Sequence, residues 1–174
     1  MSLLREETAL PKPLPVPVEF QLPDGWAPAS SESIDAFDVA FAALHPHPDA
    51  GFAATITIDE EILASDVSLP DLADEAVQRL KQFAESLQVV DRRGVGPTDT
   101  PALVQRVLLT TAVQDELREL VQTQVYVPLA SIEDPHTHVV IKLALTATRG
   151  QLPEILQEFE DFVRTVRPST PEGQ

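Results

Sequence analysis

Thr137 to Val166, THVVIKLALTATRGQLPEILQEFEDFVRTV, is the stretch on which the fold turns. Val139, Ile141, Leu143, Leu145 and Ala147 alternate with Lys142 and Thr146, the period of two of a strand with one face in the core. From Gln151 the period lengthens. Leu152, Ile155, Leu156, Phe159, Phe162, Val163 and Val166 recur at helical spacing and make one apolar stripe. Only Arg149-Gly150 joins the two elements, which leaves the helix little freedom in where it packs. Pro168 and the polar end STPEGQ stop it.

Working back from this stretch, Val121, Thr123, Val125, Val127 and Leu129 alternate with Gln122, Gln124 and Tyr126, a strand with one face in and one face wet. Ala102 to Val113 is rich in β-branched and aliphatic residues on both faces, as in the middle of a sheet, and Gln114-Asp-Glu supplies the turn between them. A further strand spans Gln88 to Arg92, followed by a turn-rich connector from Gly94. The loop through Asp134-Pro135 leads into the last strand.

One helix precedes these strands. Ser68 with Asp71 makes a capping-box start, and Pro70 is tolerated in a first turn whose amides are unpaired. Leu72, Ala76, Leu80, Phe83 and Leu87 form its stripe. Before it lie three strands: Val16 to Leu22, ended by Pro23-Asp24-Gly25; Phe37 to Phe41; and Phe52 to Ile58. His45-Pro-His-Pro-Asp-Ala-Gly51 joins the latter two, and Trp26 is read as a lid on the core. Residues 1 to 15 form a proline-spaced arm, 16 to 168 a single domain, and 169 to 174 a polar tail. The order βββαββββα, with short turns between strands, predicts an α+β fold: an antiparallel sheet of about six to seven strands packed with two amphipathic helices.

Charge narrows the partners. Twelve basic residues against 28 acidic ones give a net charge of −16, which repels phosphate backbones and anionic lipid headgroups. The expectation is a protein partner, with no nucleic acid and no membrane. Cysteine is absent, which removes disulfides, thiolate metal sites, a cysteine nucleophile and a lipidated cysteine. No stretch has the roughly 18 apolar residues of a membrane span, and the N-terminus lacks the pattern of a secretory signal. A cytoplasmic protein is expected.

The chemistry-bearing residues make no catalytic set. His45-Pro-His47 and His136-Thr-His138 are two short pairs that would supply a metal only by meeting in space, and no metal or other cofactor is expected. Asp59-Glu60-Glu61 reads as solvated acidic surface. Serines occur in a polar turn and not in a nucleophile elbow, and Gly94-Val-Gly-Pro lacks the third glycine of a dinucleotide loop.

Three features together resemble the PsbP-like fold family and, within it, the LpqN-type proteins of actinobacteria. They are Pro23-Asp24-Gly25-Trp26 after the first strand, the helix from Pro70 to Leu87 after the third, and the ending from His138 to Pro168. The resemblance spans about residues 16 to 168. It implies a non-catalytic scaffold used for protein contacts, with partners as different as photosystem subunits and a small GTPase. LpqN-type members are often lipoproteins, a feature that a chain without cysteine does not share.

The functional expectation is a non-enzymatic interaction or adaptor domain. The alternatives are a small-ligand or metal-binding module, or an enzyme with an unrecognised pocket. Were both helices to share one sheet face, the other would present Gln122, Gln124, Tyr126, Lys142 and Thr146, a wet surface centred on a tyrosine suited to binding. That face is the first candidate for a partner. The acidic segment Asp59, Glu60, Glu61 and onward to Asp66 is the second, suited to steering a basic partner.

Overall fold

Alternation along the strands and the register between them decide which side chains share a face, and that places the helices. The computed structural model describes residues 16–30, 39–64, 66–96, 98, 101–113, 115–129 and 137–168. The arm, the tail, Phe37, Ser31 to Ser33, Pro97, Asp99, Gln114, the Asp134-Pro135 loop and His136 lie outside them. The elements are β1 (Val18–Glu19), β2 (Ala27–Pro28), β3 (Phe41–Leu44), β4 (Thr55–Ala64), α1 (Leu69–Lys81), β5 (Ser86–Val95), β6 (Ala102–Val113), β7 (Glu116–Leu129), β8 (Thr137–Thr148), α2 (Leu152–Thr165) and β9 (Arg167–Pro168). Seven strands form one antiparallel sheet in the order β2-β3-β4-β8-β7-β6-β5, and β1 pairs with β9 in a separate ribbon. This is the expected α+β architecture.

The long strand that decides the fold, β8, lies at the centre, with β4 along one side and β7 along the other. Ile141, Leu143, Leu145 and Ala147 meet Ile56 and Ile58 of β4, and α2 adds Ile155, Phe159 and Phe162 to form the main core. The tight strand-to-helix junction is fixed by reciprocal bonds. The Thr148 amide donates to Gln151 Oε1 (2.9 Å), and the Gln151 amide donates to Thr148 Oγ1 (3.1 Å). Trp26 caps this core, and its indole donates to Glu158 Oε1 at 2.8 Å.

The opposite face belongs to α1. Its N-cap is the expected capping box: the Asp71 amide donates to Ser68 Oγ, and Asp71 Oδ2 accepts from the Ser68 amide. Leu72 and Ala73 pack on Leu103, Tyr126 and Val140, while Leu80 reaches Val107, Leu109 and Leu120. The helices therefore sit on opposite faces of one sheet.

Several boundaries differ from the sequence reading, each for an identifiable reason. The first strand is only Val18–Glu19 and pairs with β9 in the small ribbon, not with the large sheet. Phe20 still packs between Phe41 and Phe162, at ring separations of 5.0 and 5.9 Å. β3 starts at Phe41, where the second strand was expected to end, and Val39 precedes it. β4 begins at Thr55, after a local bridge between Asp49 and Phe52, and continues to Ala64 because β8 pairs with it throughout. The helix ends at Lys81 and not at Leu87, because Glu85 donates its amide to Thr110 O at 2.7 Å and draws the chain into the sheet. Phe83 is left 63% exposed, and β5 absorbs Gly94 and Val95.

Candidate functional site

Helix α1 covers the β5–β6 side of its face and leaves the β4–β8 side open. The result is a groove of about 910 Å³ whose lining includes Thr55, Thr57, Gln122, Gln124, Lys142 and Thr146. Register sets the order of its floor. Asp59, Lys142 and Tyr126 stand opposite one another, then Thr57, Ala144 and Gln124, then Thr55, Thr146 and Gln122. Beyond these the groove turns apolar at Phe52, Leu80, Phe83, Leu109 and Leu120. From Tyr126 to Leu120 is six residue steps, about 20 Å at ~3.3 Å each.

The floor is held by a relay of amides. Arg92, paired to Asp74 at 2.8 Å, donates Nε–H to Gln105 Oε1 at 2.7 Å. Gln105 Nε2 donates to Gln124 Oε1 (2.9 Å) and to the Ala73 carbonyl (3.3 Å). Tyr126 OH also donates to Gln124 Oε1, at 2.8 Å. Gln124 Nε2 passes to Gln122 Oε1 at 2.6 Å, and Gln122 Nε2 to Thr146 Oγ1 at 2.9 Å. Gln105 and Gln124 are fully buried, so each satisfied bond avoids a desolvation cost and fixes the floor's shape. The relay starts at the covered side and ends at a hydroxyl in the groove.

The charged end is closed by Arg79, whose guanidinium lies 3.9 Å from Glu61 and 3.5 Å from Glu75. Lys142 Nζ lies 5.7 Å from the centre of the Tyr126 ring. Burial pushes the Lys142 amine below its ordinary range, and Arg79 nearby adds to this. Burial likewise raises the Tyr126 hydroxyl well above its usual value, so it acts as a neutral donor.

The sequence-predicted residues fall as follows. The condition for the first candidate, helices on one face, is not met. Tyr126 is 2% exposed beneath α1, so the expected wet tyrosine surface is corrected to a buried support. Gln124 and Lys142 line the groove above it. The acidic segment is not a solvated loop: Asp59, Glu60 and Glu61 are inside β4. Asp59 and Glu61 share the groove face, whereas Glu60 alternates to the α2 face opposite Ile141. Asp59 and Glu61 thus line the same groove as Gln124 and Lys142, with Asp59 directly across from Lys142.

Glu60 is 6% exposed, and its Oε1 accepts the Val16 amide at 2.9 Å. Its Oε2 is buried without a hydrogen-bond partner among the described residues. Burial raises its pKa from 4.5 to about 7, against the lowering effect of the Val16 bond, with Asp59 adding to the rise. The folded state therefore holds this proton more tightly than the unfolded chain. The contribution to stability is complete below about pH 4.5 and is lost as pH rises towards 7. Glu60→Gln is expected to remove this slope and to make the protein more stable than wild type at pH 8. Urea denaturation at pH 5 and 8 checks it: an unchanged slope rejects the assignment.

His45 and His138, one from each pair, are not brought together. His45 donates its amide to Ala54 O at one end of β4, and His138 stands opposite Leu63 at the other. Nine residue steps of strand, about 30 Å, separate them. Among the described residues no group of three or more histidines and carboxylates could hold a metal ion. Sequence reasoning missed Gln105 and Arg79. Gln105 sits in a strand read as apolar on both faces, and nothing local shows that Gln124 is its cross-strand partner.

No family model matches the sequence, and no curated protein is significantly similar to it. Among solved structures, LpqN of Mycobacterium tuberculosis, described as involved in cell envelope biogenesis, is similar at 16% identity and a TM-score of 0.60, over 91% of this chain and 87% of that one. Cyanobacterial PsbP from Synechocystis sp. PCC 6803 is similar at 11% identity and a TM-score of 0.57, covering 87% and 86%. The Ran-binding protein Mog1p of Saccharomyces cerevisiae is similar at 13% identity and a TM-score of 0.53, covering 87% and 89%. The chain therefore has the PsbP-like, LpqN-type fold expected from its motifs. No helix among the described residues is long and apolar enough to cross a membrane.

Proposed function

We propose that this protein is a non-enzymatic interaction domain that binds a protein partner in the groove between α1 and β4. The observation that carries the proposal is the groove itself: an open cleft whose floor is locked by a continuous relay from Arg92 to Thr146. A floor held in one arrangement before binding loses little entropy when a partner arrives. Asp59 and Glu61 on its rim, within a chain of net charge −16, favour steering of a partner with basic residues around its docking segment. The hydroxyls lining the groove, Thr55, Thr57, Thr111 and Thr146, have neither histidine nor carboxylate as a hydrogen-bond partner among the described residues. That arrangement suits recognition better than nucleophilic chemistry. Fold alone does not carry function, but a Ran-binding neighbour is in keeping with a scaffold used for protein contacts. A cytoplasmic location is part of the proposal and is checked by cell fractionation.

The test fills the groove. Thr57→Trp and Thr146→Trp each place a large side chain on its floor, and thermal melts confirm that they fold. A partner captured by the wild-type protein, then purified, is expected to bind either variant at least about tenfold more weakly. Undiminished binding by both folded variants overturns the groove as the site. Recovery of a stoichiometric small molecule in native mass spectrometry, with no protein partner, overturns the class.

A further inference from the structure

The α2 face of β4 reads Ile56, Ile58, Glu60, Ile62, so a carboxyl stands where the alternation calls for an aliphatic side chain. Neither protonation state satisfies it. Oε1 accepts the Val16 amide at 2.9 Å, and Oε2 is buried with no hydrogen-bond partner among the described residues. A proton on Oε2 therefore has no acceptor among them, and an ionised group has no cation within 4.0 Å among them. The charges nearby are turned elsewhere. Asp59, its neighbour on β4, stands across from Lys142 on the opposite face, and its own charge opposes ionisation of Glu60. In the ribbon Glu19 pairs with Arg167 at 3.4 Å, and at the end of α2 Arg164 pairs with Asp161 at 2.8 Å. β8 places Ile141 opposite Glu60. A buried charge without a partner costs far more than an unmet hydroxyl, so the ionised state is the worse of the two.

The segment that meets Glu60 is lightly held. Val18 and Glu19 pair with β9 over two residues only, and Pro17 has no amide to give. The Glu19–Arg167 contact lies at the surface, where such pairs hold little. Phe20, by contrast, is anchored between Phe41 and Phe162. We infer that residues 16–19 form a strap that closes over protonated Glu60 and lifts away, about a pivot at Phe20, when Glu60 ionises. Lifting lets water reach the carboxylate, which the closed form excludes. It also bares the α2 face of β4 beside Ile62, itself 60% exposed. The direction follows from linkage. Burial holds the Glu60 pKa at about 7 under the strap, against 4.5 for the free group. Closing is therefore fully favoured below about pH 4.5 and weakens as pH rises to about 7, beyond which little more is lost.

Failure of the groove as a docking site would leave this device untouched. The chain has no cysteine, so Pro17→Cys carries a single nitroxide label at an exposed position of the strap. Its electron paramagnetic resonance line shape in the full-length protein gives the ratio of immobile to mobile label. Between pH 5 and pH 8 that ratio is expected to fall at least about tenfold, with about 70-fold as the ceiling for a pKa moved from 4.5 to about 7. With Glu60→Gln added, the ratio should be the same at both pH values, because an amide does not ionise. A label at Glu160→Cys, on the exposed side of α2, should keep its line shape throughout. An unchanged ratio in the strap-labelled protein that retains Glu60 overturns the inference, whether or not the Glu60→Gln variant folds. So does an equal fall in folded Glu60→Gln, which places the titrating group elsewhere. Mobilisation of the label at position 160 together with that at position 17 also overturns it, since the opening is then that of the whole domain.

Discussion

Gln124→Leu is expected to destabilise the protein by about 3–5 kcal/mol, although it replaces an amide with a hydrocarbon of similar volume in a buried position. The reason is what it leaves behind. Gln124 Oε1 is the acceptor for both Gln105 Nε2 and Tyr126 OH, and its Nε2 is the donor to Gln122. Gln105 retains the Ala73 carbonyl, but Tyr126, itself 2% exposed, loses its partner entirely. Each buried polar group stranded in this way costs about 1–3 kcal/mol. Replacing the group as a unit tells a different story: Gln105→Leu, Gln124→Leu and Tyr126→Phe together remove the buried hydroxyl that Gln124→Leu alone strands, and Arg92, which loses Gln105, keeps its pair with Asp74. The triple variant should therefore be at least about 2 kcal/mol more stable than the sum of its single changes, a non-additivity typical of one network. Urea denaturation of the four variants measures this. A single Gln124→Leu cost below about 1 kcal/mol, or simple additivity, would show that the relay is not the unit described here.

Phe159→Ala carries the other large effect, about 3–5 kcal/mol, because it empties a fully buried aromatic position between α2 and the sheet. Against a typical total of about 5–15 kcal/mol for a domain, such a loss leaves the fold close to its limit. The consequence is local before it is global. Glu158, the adjacent residue, holds the Trp26 indole at 2.8 Å, so loosening α2 should shift the emission of the chain's single tryptophan even under native conditions. Phe83→Ala is the matched control: the same change at a side chain 63% exposed should alter stability by no more than about 0.5 kcal/mol. Equal costs at the two positions would mean that the α2 face is not the main core.

How far the fold was legible depended on how local each signal is. The alternation from Val139 to Ala147 and the stripe from Leu152 to Val166 are carried by neighbours in sequence, and the structure places them in β8 and α2. Ser68 and Asp71 likewise announce α1 through bonds made within one turn. Where the helix ended was not local. Leu87 continued the stripe, but Thr110 captures the Glu85 amide, and a backbone bond to a strand 25 positions away outweighs nearly two more turns of apolar periodicity.

The candidate site divides along the same line. Composition and pattern singled out Gln124, Lys142, Asp59 and Glu61, and all four line the groove. That they share one groove follows from pairing β4 with β8 in a register that sets Asp59 across from Lys142. A slip of one residue would have sent every one of these side chains to the other face. Tyr126 shows the limit most plainly. Its polar-face position was readable from alternation, yet its burial was not, because the two helices took opposite faces and α1 covered it. Spacing along the chain was enough to place the long strands and both helices in order and to assign a polarity to each strand face, though not to find the two-residue strands β2 and β9. Which polar residues are hidden as a hydrogen-bonded floor, and which line a cleft, depends on cross-strand register and on the face each helix covers, and neither is a local property of the chain.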